Sequence, residues 1–103
     1  MTKIDLSNKN LKNINDLSCM FFKCLKLEEV NLENFTTNKI ENMDYMFYKC
    51  ESLKNVNLNN LKTEDNLSYD NLFCGVNEKC KIKSDEKIIR IWKNYLDSNK
   101  KKN

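Results

Sequence analysis

The sequence predicts an α/β repeat fold. We expect a short solenoid with a ladder of parallel strands on one face, helical returns behind the strands and a capping helix at the C-terminal end. Two observations predict this architecture. The phrase M-F-x-K-C occurs at residues 20–24 and again, 26 residues later, at residues 46–50. Residues 84–103 then leave this pattern and carry apolar side chains at helical spacing.

Three units of 26 residues align without a gap, at residues 4–29, 30–55 and 56–81. Apolar residues recur at matching positions of these units. Four of the aligned sets are Ile4, Val30 and Val56; Leu6, Leu32 and Leu58; Met20, Met46 and Leu72; and Phe21, Phe47 and Phe73. A period of 26 lies within the range of about 20–29 residues that is typical of leucine-rich repeats, which stack into solenoids.

Each unit begins with alternating apolar and polar residues, as at residues 30–34, which predicts a short strand with its apolar side chains inward. An asparagine closes each strand. We expect these asparagines to be buried and to stack as a ladder: Asn8, Asn34 and Asn60. Four residues then have the i, i+3, i+4, i+7 spacing that predicts the inward stripe of a short helix: Met43, Met46, Phe47 and Cys50.

The second unit, VNLENFTTNKIENMDYMFYKCESL, resembles the BspA-like leucine-rich repeats of bacterial surface proteins. The matching positions are Leu32, Asn34, Phe35, Thr37, Asn42, Met43, Met46, Phe47, Cys50 and Leu53. The likeness covers about residues 4–82; unit 1 has Lys9 where the family usually has phenylalanine, and unit 3 replaces the methionines by Tyr69 and Leu72. The resemblance implies a leucine-rich-repeat solenoid over residues 4–83 that serves as a binding scaffold.

Residues 84–103 predict a capping helix followed by a basic tail. Ser84 is the expected N-cap, with acidic residues in the first turn, where the helix dipole favours negative charge. The apolar face of this helix comprises Ile88, Ile91, Trp92, Tyr95 and Leu96. We expect this face to cover the open end of the solenoid, as repeat proteins require for solubility. The alternative is attachment of the basic helix to a membrane surface.

The composition argues against catalysis, metal binding and nucleic-acid binding. There is no histidine to act as the usual general base, and a single glycine cannot build a phosphate-binding loop. The five cysteines include no C-x-x-C pair of the kind that binds zinc: Cys19, Cys24, Cys50, Cys74 and Cys80. The 18 basic residues include three at 100–102, which leaves 15 against 15 acidic residues and no basic face for nucleic acid. We predict a protein that is not an enzyme and uses no cofactor.

The exposed sheet face is the predicted binding site, and the predicted partner is another protein. This face comprises the outward strand positions and their neighbours: Asp5, Ser7, Glu29, Asn31, Glu33, Asn55, Asn57, Asn59, Lys81 and Lys83. It has few of the aromatic anchors that dominate binding energies. In the M-F-x-K-C segment, Tyr45 and Tyr48 lie off the inward stripe and are also accessible to a partner.

A structural role is the main alternative function. The first strand has no cap, and an open edge strand invites pairing with another chain. The sequence therefore leaves open an assembly unit that stacks end to end, or a homo-oligomer formed through this edge. A signal peptide and a membrane-spanning apolar run are both missing, which predicts a cytoplasmic protein. The family resemblance implies a cell-surface or secreted location if these residues belong to a longer chain.

Overall fold

The computed structural model describes residues 2–10, 13–35 and 38–100. Thr37 of the family motif and residues 101–103 of the basic tail lie outside this part of the chain. The described residues form a small α/β structure with parallel strands and one C-terminal helix. Its elements are β1 (Lys3–Asp5), β2 (Glu29–Asn31), β3 (Ile40–Asn42), β4 (Asn55–Asn57), β5 (Thr63–Ser68), β6 (Lys81–Lys83) and α1 (Glu86–Lys100).

The predicted parallel sheet is confirmed, with the strand order β1-β2-β4-β6. Its register advances by one unit at each step: Lys3 pairs with Glu29, Glu29 with Asn55, and Asn55 with Lys81. The middle residue of each strand points inward, so Val30 is 2% exposed while the residues on either side of it face outward. Strands β3 and β5 form a separate parallel pair.

An internal column of aromatic rings links the three units to the helix. Phe21 stacks on Phe47 and Phe47 stacks on Phe73, with ring centroids 5.6 and 5.9 Å apart. Trp92 of α1 meets Phe73 edge-on at 5.2 Å. Each such pair contributes about 0.5–1.5 kcal/mol beyond the burial of its area. The column therefore joins the repeated units and α1 in one hydrophobic core.

The M-F-x-K-C segments are not helical, and the prediction of helical returns is wrong. Residues 44–49 form a series of turns, and α1 is the only helix in the part of the chain that the structure describes. Tyr45 and Lys49 have φ of 58° and 56°, whereas an α-helix requires about −63°. The inward positions were nevertheless identified correctly, because Met46 and Phe47 are fully buried.

Hydrogen bonds between units explain why the M-F-x-K-C segments form turns and not helices. The N–H of Phe47 donates to the carbonyl of Leu72 at 3.0 Å and that of Tyr45 to Asp70 at 2.8 Å, so alternate residues bond to the next unit. Paired strands hold neighbouring units about 4.8 Å apart. Packed helices need about 8–10 Å between their axes. Successive turns fit the narrower spacing, and they still point the apolar stripe inward.

The backbone conformation itself repeats every 26 residues. Nine of the described residues have positive φ, and they fall into three aligned sets: Asn8, Asn34 and Asn60; Cys19, Tyr45 and Asn71; Lys23, Lys49 and Gly75. This conformation costs residues other than glycine about 1–2 kcal/mol. The hydrogen bonds between units and the burial of the inward apolar side chains offset that cost, because both depend on the same turn at each aligned position.

The predicted asparagine ladder is present, but it is exposed rather than buried. The amide of Asn34 donates to Oδ1 of Asn8 at 3.3 Å, and the amide of Asn60 donates to Oδ1 of Asn34. All three residues have positive φ and lie at the surface. Their side chains therefore bond to one another along the stack, while the tolerance of asparagine for left-handed backbone lets the chain turn.

Helix α1 begins one residue later than predicted. Oδ1 of Asp85 accepts a hydrogen bond from the N–H of Ile88 at 3.1 Å, so Asp85, not Ser84, is the N-cap. The hydroxyl of Ser84 is buried and has no hydrogen-bond partner among the described residues. The apolar face of the helix is confirmed: Ile88 and Trp92 are buried, and the rest of the face packs against the core.

The helix also ends a row of hydrogen bonds between units. The N–H of Lys23 donates to the carbonyl of Tyr48, and that of Lys49 to the carbonyl of Cys74, each at 2.7 Å. Gly75 occupies the same position in unit 3, and its N–H donates to the Tyr95 hydroxyl at 3.0 Å. Helix α1 thus supplies an acceptor in place of the carbonyl of a further unit.

Substitution of Gly75 tests how closely these turns are stacked. Gly75 has φ of +89°, and a Cβ at this position would lie 2.9 Å from Cα of Lys49. Gly75→Ala should therefore lower the free energy of unfolding by about 2 kcal/mol, measured by urea denaturation. Lys49→Ala is the matched control, because this position already carries a Cβ; it removes only the contact between the Lys49 ammonium and the Tyr48 ring and should lower the value by about 0.5–1 kcal/mol. Equal losses in the two variants would contradict this explanation.

Candidate functional site

Six of the ten predicted binding residues lie together on the sheet face. They line a shallow groove of about 520 Å³ and are Glu29, Asn31, Asn55, Asn57, Lys81 and Lys83. The alternation of the strands explains this arrangement, since the residues before and after each buried strand centre point to the same side of the sheet. The structure therefore brings together the larger part of the predicted site.

The other four predicted residues lie elsewhere. Glu33 and Asn59 line a separate hollow of about 640 Å³ beside the start of α1, together with Ser84 and Lys87. These two residues follow β2 and β4, after the chain has turned away from the sheet face. Asp5 and Ser7 lie in and just after β1, at the edge of the sheet, and line neither hollow.

Three side chains of the sheet face already have a structural role. In each, Oδ1 accepts a hydrogen bond from the backbone N–H two residues further along the chain. The acceptor and donor pairs are Asp5 with Ser7, Asn31 with Glu33, and Asn57 with Asn59, at 2.9, 2.9 and 3.0 Å. Such bonds stabilise the turn that follows a strand. The hydrogen bonds from Ser7 also lower the pKa of the Asp5 carboxyl.

The charges on the sheet face are separated along the stack. At the β1 end, the ammonium of Lys3 and the carboxylate of Glu29 form an exposed ion pair at 3.0 Å, which adds little to stability because solvent screens both charges. At the β6 end, neither Lys81 nor Lys83 has a described carboxylate within 4.0 Å. The face therefore presents unpaired positive charge at the end nearest α1.

A second exposed cluster lies on the return side, which comprises the turns at residues 18–23 and 44–49. The rings of Phe22 and Tyr48 stack with centroids 5.2 Å apart, and Tyr45 packs edge-on against both. We call these three residues the aromatic surface. Phe22 is 41% exposed and the two tyrosines are half-buried. Clustered, partly exposed aromatic rings are typical of protein-binding surfaces.

Two lysines contact the rings of the aromatic surface. The ammonium groups of Lys23 and Lys49 lie 5.3 and 5.4 Å from the ring centroids of Phe22 and Tyr48. A cation–π contact at an exposed site contributes about 0.5–1 kcal/mol. The lysines therefore add positive charge beside an apolar contact area, and this combination favours a partner with both apolar and acidic groups.

The sequence predicted only part of the aromatic surface. The apolar spacing predicts that Tyr45 and Tyr48 are accessible, but it does not single out Phe22 or the two lysines. A helical return would have separated residues of successive units by the width of a helix, but the observed turns bring them into contact. The useful signal was the alignment itself, since Phe22 aligns with Tyr48 and Lys23 aligns with Lys49.

The cysteines divide into buried and accessible thiols. Cys50 is fully buried, and its Sγ donates to the carbonyl of Phe21 at 3.0 Å. Burial raises the pKa of the Cys50 and Cys80 thiols to about 11. Cys19 is exposed, and Cys24 and Cys74 are half-buried. Among the described residues, no group of three or more Cys, Asp or Glu side chains is arranged to hold a metal ion.

Comparison with protein families matches residues 2–85 to the family described as "Mycoplasma protein of unknown function, DUF285". Because this match covers most of the chain, the protein belongs to that family. Neither the curated proteins nor the solved structures yielded a match. In the part of the chain that the structure describes, no helix has both the length and the apolarity needed to cross a bilayer.

The buried thiols predict a loss of stability at alkaline pH. The pKa values of Cys50 and Cys80 rise from an ordinary 9.0 to about 11 in the folded protein. The unfolded chain therefore loses these protons first, so their stabilising contribution is complete below pH 9 and is lost as the pH rises to about 11. Urea denaturation across this range should show a falling free energy of unfolding.

Two substitutions separate this effect from other groups that titrate in the same range. Cys50→Ala should make the fall with pH shallower, because one of the two buried thiols is gone. Cys19→Ala, which removes an exposed thiol, is the matched control. An identical pH dependence in the two variants would show that Cys50 does not contribute to it.

Proposed function

We propose that this chain is a short leucine-rich-repeat solenoid of the BspA-like type and acts as a non-catalytic protein-binding scaffold. The constant 26-residue step supports the solenoid, because the strand register and the positive-φ residues both follow it. The burial of the second unit's motif residues supports the BspA-like assignment: Leu32, Phe35, Met43, Met46, Phe47, Cys50 and Leu53.

The aromatic surface is the observation that carries the binding proposal. Aromatic side chains are enriched among the few residues that dominate binding energies, and they are rarely left clustered and exposed without a role. One further large apolar residue of unit 1, Leu25, is 50% exposed. We therefore propose that a protein partner makes its main contact with the aromatic surface.

The sheet face serves in this proposal as a second, more polar contact. Within the groove, Asn31 and Asn57 use their side-chain oxygens in turns and Glu29 pairs with Lys3, so the groups available to a partner are concentrated at Lys81 and Lys83. Exposed charges of this kind mainly steer and select a partner rather than provide affinity. An acidic patch on the partner would complement both these lysines and those beside the aromatic surface.

Membrane attachment through α1 is the weaker proposal. A helix that binds a membrane surface must present its apolar face to lipid. In α1 that face is already in use, since Ile88 and Trp92 are 1% and 6% exposed and pack against the core. Attachment would therefore require α1 to leave the end of the solenoid.

Affinity capture from cells that express the chain tests the binding proposal. The double variant Phe22→Ser/Tyr48→Ser should lose a captured protein that the unchanged chain retains. The loss of two anchors, each contributing more than about 1 kcal/mol, should weaken binding at least about tenfold. Circular dichroism of the variant would establish that it is folded.

Tyr69→Ser is the matched control for this experiment. Tyr69 is 48% exposed and lies outside the aromatic surface, so its loss should leave capture unchanged. Lys81→Glu/Lys83→Glu examines the sheet face separately. Full capture by the folded Phe22→Ser/Tyr48→Ser variant would exclude the aromatic surface as the main contact.

A further inference from the structure

Strand β1 forms an edge of the four-stranded sheet. Its inner side pairs with β2, and none of the described strands pairs with its outer side. The strand consists of Lys3, Ile4 and Asp5, with a cation before the central apolar residue and an anion after it. An edge with unpaired backbone groups is a ready template for pairing with another strand.

Several apolar side chains of unit 1 are also more exposed than the aligned side chains of the later units. Met20 is 38% exposed, whereas the aligned Met46 and Leu72 are 0% and 1% exposed. Four other residues of unit 1 are only partly buried although the aligned residues of unit 2 are fully or almost fully buried. These residues are Ile4, Leu6, Ile14 and Cys24, and their counterparts are Val30, Leu32, Ile40 and Cys50. Unit 1 therefore presents at the surface side chains that the later units bury.

We propose that a second copy of this chain covers that surface, with the two β1 strands paired antiparallel about a two-fold axis. The sequence Lys-Ile-Asp is self-complementary in this arrangement. Ile4 lies opposite Ile4 of the other protomer, and each Lys3 lies opposite an Asp5. Opposite charges at directly facing positions stabilise antiparallel strands, and a two-fold axis forms both pairs at once.

The opposite end of the sheet favours this symmetric pairing over head-to-tail stacking. Helix α1 packs against β6 and covers the core of unit 3 with Trp92 and Tyr95. The β6 end of one protomer is therefore blocked and cannot add to the β1 end of the next. Two β1 ends can meet, and the resulting dimer is closed.

The return side of unit 1 limits how far the direct pairing extends. Between residues 17 and 23, the cross-unit bonds all run from an N–H of unit 1 to a carbonyl of unit 2, as from Leu17 to Asn42 and from Cys19 to Asp44. The outer side of these turns consequently presents carbonyl groups. Two facing rows of acceptors need bridging water. Direct backbone pairing in the dimer is therefore confined to β1.

Sedimentation velocity over a range of protein concentrations tests this proposal. The unchanged chain should form a reversible dimer. Lys3→Glu places like charges opposite each other at both facing pairs, and Asp5→Lys does the same with the opposite sign. Each single variant should raise the dimer dissociation constant at least about tenfold. The double variant Lys3→Glu/Asp5→Lys exchanges the two charges and should restore dimerisation.

The double variant separates the dimer contact from contacts within one chain. Both the ion pair between Lys3 and Glu29 and the turn bond from Ser7 to Asp5 are lost in it, so restored dimerisation cannot come from them. Lys81→Glu alters the aligned position at the far end of the sheet and should leave the dimer intact. Circular dichroism of each variant would establish that it is folded.

Four outcomes would overturn the proposal. They are a monomer at every concentration, an open series of larger assemblies, dimerisation that neither single substitution weakens, and loss of the dimer in all three variants. The last would mean that the substitutions act on the fold of β1 rather than on its pairing. This test is independent of the aromatic surface, since none of its variants alters that surface.

Discussion

The spacing of about 4.8 Å that backbone hydrogen bonds impose between neighbouring units governs the rest of this structure. On the sheet side it sets the register of β1, β2, β4 and β6. On the return side, alternate N–H groups of the turns bond to the next unit, so the units keep this spacing there instead of spreading apart as a row of helices would require. It also stacks like side chains directly on one another, which creates both the phenylalanine column of the core and the ring pair of the aromatic surface.

Sequence reasoning predicted the elements that depend on the period and missed those that depend on backbone geometry. The parallel sheet, the inward stripe and the C-terminal helix follow from the positions of apolar residues, and all are confirmed. The apolar spacing does not distinguish these turns from a helix, because Met43, Met46 and Phe47 point inward in either conformation. The positive φ at Tyr45 and Lys49, residue types that rarely adopt it, could not be read from side-chain pattern.

The sequence pattern likewise predicts only part of the candidate site. Strand alternation correctly grouped six polar residues in one groove. It gave no indication that Asp5, Asn31 and Asn57 would hold the following turn with their side-chain oxygens. It also missed Phe22, because the contact between Phe22 and Tyr48 exists only when turns replace helices. The error in local structure on the return side thus led to the main omission in the site.

The hydrogen-bond partner of the Phe47 N–H distinguishes most directly between stacked turns and an α-helix at residues 44–49. NMR scalar coupling across hydrogen bonds identifies the carbonyl that each amide contacts. We predict coupling from the Phe47 nitrogen to the carbonyl carbon of Leu72, in the next unit. Coupling to Met43, four residues earlier in the same unit, would show an α-helix and would contradict the stacked-turn structure.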